Sequence, residues 1–129
     1  MKITAAIARI LLGVIFLVFG LNGFLHFIKM PPPTGVALQF MGALITSHEI
    51  AVIMLLQVIG AVLLLSNRFV PLALLLLGPV IVNIVLFHAF MAPNGLPMAL
   101  IVSVLWILTA YGVRGVFVGF SRSRVERAA

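Results

Sequence analysis

The stretch AVLLLSNRFVPLALLLLGPVIVNIVLFHAF, from Ala61 to Phe90, decides the fold of this chain. One apolar run ends at Leu65, the polar residues Ser66, Asn67 and Arg68 follow, and a second apolar run extends from Phe69 to Met91. A helix rises about 1.5 Å per residue, so roughly 20 apolar residues cross the bilayer's hydrocarbon core, about 30 Å thick. The second run is long enough to cross, and so short a turn sets its neighbour antiparallel to it. Pro71 falls in the first helical turn, where a missing N–H costs little. Pro79 falls inside the run, where it deprives the Leu75 carbonyl of its usual partner and predicts a bend. The stretch reads as a membrane hairpin.

The run that ends at Leu65 begins at Ile50, and Thr46 stands three positions before Glu49, a spacing that predicts a capping box at the helix start. Further upstream, Val36 to Ile45 is apolar but too short to cross, and it follows the prolines Pro31, Pro32 and Pro33. It reads as a half-helix lying in the interface. The first apolar stretch, Ile3 to Ile28, is interrupted only by Arg9, Asn22 and His26. It exceeds the roughly 7 to 15 residues of a signal-peptide core and no small-x-small cleavage site closes it, so it is expected to remain as the first span. After Phe90, Ala92 to Pro97 form a Pro/Gly/Asn turn, Leu96 to Val113 a fourth span, and Arg114 to Arg127 a basic tail. Residues 1–129 thus read as one all-α domain, an integral membrane four-helix bundle with a short interfacial half-helix between spans 1 and 2.

Composition agrees. With 64% hydrophobic and 8% charged residues, the chain could not cover a water-soluble surface. The net charge of +6 does not point to nucleic acid, because the basic residues sit singly at the ends of apolar runs rather than on one solvated face. Without cysteine the chain itself can hold no disulfide, thiol redox centre or cysteine metal site. His26, His48 and His88 show no metal-ligand spacing. The basic residues instead report topology. Lys2, Arg9, Arg68, Arg114, Arg122, Arg124 and Arg127 fall on one side of the four spans and Lys29 alone on the other. Positive residues are retained in the cytoplasm, so both termini are expected there.

Stepping 100° per residue along the first span puts Arg9, Gly13, Phe16, Gly20, Gly23 and Phe27 on one stripe. Small residues let a neighbouring backbone approach, so the stripe reads as a packing seam, with Gly20 on the first span and Gly60 on the second as structural positions. Glu49, Leu56, Gly60 and Asn67 share a stripe of the second span, and Gln57 lies beside it. A charge in hydrocarbon costs about 3 kcal/mol or more unless paired or hydrated, so each ionisable residue needs a reason. Arg9 has two readings: it snorkels to water, or it reaches the open carbonyls at the end of the second span near Ser66. Asn22, His26, Glu49, Asn83 and His88 all fall in the outer half of the bilayer once the topology is drawn, which defines a candidate polar pocket. Its rival readings are local: Glu49 as a cap, Asn83 serving the backbone disturbed by Pro79, and the histidines as wet interface residues. Trp106 and Tyr111 read as packing and interface anchors.

Three stretches carry a resemblance to a family: ARILLGVIFLVFGLNGF from Ala8 to Phe24, LQFMGALITS from Leu38 to Ser47, and the hairpin Ala61 to Phe90. In these the chain resembles the DoxX family of small bacterial membrane proteins, over nearly its whole length. The ordered set is Arg9, the loop prolines, Gly60, Asn67 with Arg68, and Pro79 with Asn83. The resemblance implies a four-helix bundle in the bacterial inner membrane. It also implies a membrane subunit or accessory factor of a redox system, quinone-linked or tied to oxidative stress, and it carries over no catalytic residue. The chain would then show no turnover alone, a soluble redox partner would supply flavin, metal or thiol, and a quinone or other amphiphile would meet the polar pocket. The competing expectations are a small transporter or permeability factor, and a purely structural bundle. A homo-oligomer is compatible with all three.

Overall fold

A computed structural model describes residues 2–118. The helices are α1 (Lys2–Leu25), α2 (Gly35–Thr46), α3 (Glu49–Ser66), α4 (Val70–Phe90), α5 (Leu96–Gly112) and α6 (Arg114–Phe117), and a single 3₁₀ turn, Pro93–Gly95, leads into α5. Four of them, α1, α3, α4 and α5 with its leading turn, are long and apolar enough to cross a membrane. Apart from α6, the expected basic tail lies outside the described residues.

The four long helices close a ring in which α1 packs on α3, α3 on α4, α4 on α5, and α5 on α1. Leu12, Leu64, Leu74 and Leu77 are fully buried where they meet, with Phe16, Val102 and Ile81 around them. Lipid is as apolar as leucine, so burial alone does not drive these helices together, and close packing must. The predicted seam provides it. A Cβ on Gly13 would lie 2.8 Å from Leu65 Cγ, one on Gly20 2.9 Å from Val58 Cγ2, and one on Gly60 2.8 Å from Leu77 Cγ. Gly23 belongs to the seam against Met54, whereas Phe27 lies beyond the end of α1 and is exposed.

The turn between α3 and α4 shows how the sequence ends a span. Asn67 is left-handed (φ 56°), its N–H donates to the Leu64 carbonyl at 3.2 Å, and the Arg68 N–H donates to Leu63 at 3.1 Å. This Schellman arrangement satisfies carbonyls that the helix end leaves open. Phe69, also left-handed at φ 50°, turns the chain into α4. The helix then continues unbroken through Pro79 to Phe90. Trp106 anchors the opposite wall, with its indole N–H donating to the Leu74 carbonyl at 3.0 Å.

The capping box does not form. Thr46 is the last residue of α2, and His48, left-handed at φ 65°, precedes α3. A capping box needs an extended residue at the helix start, and the sharp α2–α3 turn uses the left-handed region instead. Ser47 serves the new helix, its Oγ accepting the Glu49 N–H at 3.3 Å. Only Ala37 of α2 is buried, so this half-helix lies against the bundle rather than within it. Its Phe40 ring meets Phe87 of α4 at a centroid distance of 5.5 Å.

Candidate functional site

The five polar residues expected to line one pocket in the outer half of the bilayer are not gathered there by any described interaction. No hydrogen bond or ion pair joins any two of their side chains among the described residues; Asn22, Asn83 and His88 bond the backbone of their own segments, and His26 and Glu49 are exposed. Asn22 closes α1: its carbonyl accepts the His26 N–H at 2.8 Å and its Oδ1 accepts the Ile28 N–H at 2.7 Å. His26 takes the left-handed conformation that ends the helix (φ 55°), and its side chain is exposed. Glu49 opens α3 and is exposed. Asn83 points out of the bundle and donates from Nδ2 to the Pro79 carbonyl at 3.1 Å. His88 is half-buried, with Nδ1 3.0 Å from the Ala92 carbonyl, and its ring lies over Gly95 in the α4–α5 connection. Among the described residues no interaction assembles the candidate pocket, and three of its five residues have local backbone partners instead. The physical reason is that helix ends leave backbone groups open, which Asn22 and His88 meet, whereas Asn83 bonds the Pro79 carbonyl rather than the Leu75 carbonyl that the missing proline N–H frees.

Arg9 behaves differently. It is half-buried, and its Nη1 donates across the α1–α3 seam to the Leu64 carbonyl. This is the second of its two readings. A guanidinium at the C-terminal end of α3 adds a second donor to the Leu64 carbonyl, which the Asn67 N–H also bonds, and meets the negative end of the helix dipole.

Arg9 also opens on a cavity of about 850 Å³ at the end of the bundle that carries the start of α1, the α3–α4 turn and the end of α5. Lys2, Arg9 and Arg114 line it together with Asn67 and Thr109, and Ala5, Val70 and Val113 form apolar wall. Arg114 donates from Nη1 to the Tyr111 carbonyl at 2.9 Å and lies 4.3 Å from the Tyr111 ring centroid. Thr109 is 2% exposed and donates to the Leu105 carbonyl at 2.8 Å. The sequence contained a signal for this site in the seven-residue spacing of Lys2 and Arg9, which puts them on one face of α1. What it could not give was the position of Arg114 against that face.

The arrangement defines a class: a multi-pass helical membrane protein with a packed interior and a cationic cavity at one end. No family model, curated protein or solved structure matches the chain.

Proposed function

We propose that this chain is a membrane subunit or accessory factor of a bacterial redox system, seated in the inner membrane with both termini in the cytoplasm, and that it meets its partner laterally through α4. The observation that carries the lateral contact is Asn83. It lies well inside α4 on an outward face shared with Leu72, Leu75, Val82 and Leu86, all exposed. Its amide spends one N–H on Pro79 and keeps an oxygen and a second N–H unspent. A polar group facing hydrocarbon is stabilised when another helix supplies a hydrogen bond, an interaction of about 0.6 to 2 kcal/mol. A partner helix with a polar side chain at that depth fits this face. The redox assignment rests on the DoxX resemblance. In this reading the partner supplies flavin, metal or thiol and holds the quinone, because no described interaction gathers Asn22, His26, Glu49, Asn83 and His88 into one pocket that would meet it.

A transport role within one copy is disfavoured by the fully buried leucines that fill the centre of the ring, Leu12, Leu64, Leu74 and Leu77.

The test is a photo-crosslinking residue at Val82 or Leu86 in native membranes, followed by purification and cofactor analysis. Capture of a membrane protein carrying a flavin, haem or iron–sulfur centre, lost in Asn83→Leu, supports the assignment. Capture of a second copy alone, or of lipid alone, refutes it.

A further inference from the structure

Cations near the end of a membrane helix usually snorkel outward to water, each on its own. Here three of them converge. Lys2 and Arg9 from α1 and Arg114 from the start of α6 line one cavity of about 850 Å³. Among the described residues the sole carboxylate is Glu49, which opens α3 at the opposite end of the bundle, so no described acidic side chain balances this charge. Arg9 and Arg114 each spend one N–H on a carbonyl, of Leu64 and of Tyr111, and keep their remaining donors. Lys2 donates to no described residue, and Asn67 lends a further amide to the rim. The other walls, from Ala5, Val70 and Val113, are apolar.

We propose that this cavity is a binding site for a phosphate-bearing anion, and that its occupant is the headgroup of an anionic phospholipid. Phosphate suits it because guanidinium offers paired donors to two phosphate oxygens while an ammonium adds a compact charge. The lipid source is favoured by the apolar walls and by the position at the end of four membrane-spanning helices, where basic pockets between helices take up anionic headgroups. A soluble phosphate would use the cations and leave those walls without a role. The proposal is independent of the lateral contact through Asn83, which lies on another face.

The test titrates the purified full chain in detergent with phosphatidylglycerol, phosphatidylcholine and glycerol phosphate in parallel, reading bound lipid by native mass spectrometry and stability by thermal unfolding. Arg9 is kept, because it also holds α3. Phosphatidylglycerol is expected to bind and raise the melting temperature, and phosphatidylcholine to do neither. The double variant Lys2→Gln/Arg114→Gln should bind phosphatidylglycerol about 25-fold more weakly, at roughly fivefold per cation, and Lys2→Gln alone about fivefold more weakly with its lipid-free melting temperature unchanged. The charge-conserving Lys2→Arg/Arg114→Lys variant should bind like the wild type, which separates lost charge from lost folding. Equal stabilisation by glycerol phosphate would keep the phosphate site and overturn the lipid as its occupant. Equal binding of the two lipids, or undiminished phosphatidylglycerol binding by the double glutamine variant, would overturn the site itself.

Discussion

Replacing Arg9 by methionine keeps an unbranched apolar stem and removes the guanidinium that joins α1 to the end of α3. Two terms are lost. A hydrogen bond from a charged group contributes about 1.5 to 3 kcal/mol net. A cation at a helix C-terminus contributes about 0.3 to 1 kcal/mol. Arg9 is only half-buried, so both terms belong near the low end of their ranges. The Leu64 carbonyl also keeps its bond from the Asn67 N–H, so it is not orphaned. The expected cost is about 2 kcal/mol, or roughly a 30-fold fall in the folded-to-unfolded ratio. Arg9→Lys keeps the charge but replaces a planar fork by a point donor, and should cost about half as much. Trp106 makes the assay direct: it is the chain's single tryptophan, and its indole is bonded to Leu74 across the α4–α5 contact. Its fluorescence can follow equilibrium unfolding in mixed micelles. If Arg9→Met and Arg9→Lys both unfold with the wild type, the guanidinium lies in water and the tie between α1 and α3 contributes nothing.

Other expectations follow from the same packing. Gly60→Ala places a Cβ 2.8 Å from Leu77 Cγ, at the branch point of a fully buried side chain, and should cost about 1 to 3 kcal/mol. Leu77→Ala alone should cost about 2 to 5 kcal/mol, and the double variant less than the sum, since the second change removes the clash that the first creates; strict additivity in unfolding would contradict the contact. Gly95→Ala places a Cβ against the His88 ring, so the ring must leave its place beside Ala92. Faster modification of His88 by diethyl pyrocarbonate is expected, and an unchanged rate would show that the ring does not rest on Gly95. A reporter fused after Ala129 should be active only in a form that works in the cytoplasm, and one at Thr34 only in a form that works outside; the reverse pattern would invert the charge-based orientation.

The fold was legible because membrane spans are specified by length and apolarity, and both are linear properties. The runs at Ile3, Ile50, Phe69 and Leu96 each begin within one or two residues of a helix in the structure. The half-helix was legible for the same reason, being apolar and too short. The glycine seam could be read because one periodicity governs a whole helix face, and Arg9 because a cation inside a span has few places to go. The capping box was misread because its signature is a spacing, and Thr46-x-x-Glu49 has that spacing without the geometry. His48 breaks the helix between them in a conformation that the sequence does not announce, since histidine is not glycine.

The polar pocket failed for a reason that bears on how such chains are read. Sharing a depth is not sharing a face. In α4 the inward positions are Leu77, Val80 and Ile81, and Asn83, two residues after Ile81, is rotated by about 200° from it. In a soluble helix a polar stripe would have revealed which side faces in, but α4 is apolar all round and carries no such mark. The faces became known only when Gly60 and Trp106 fixed α4 between α3 and α5. Once they are fixed, Asn83 changes meaning. As a pocket residue it would have met a ligand from inside the bundle. As an outward residue it must be satisfied by its own helix or by another one, and the Pro79 carbonyl takes only one of its donors. What remains unspent on that amide is the strongest reason in the structure to look for a second protein beside α4.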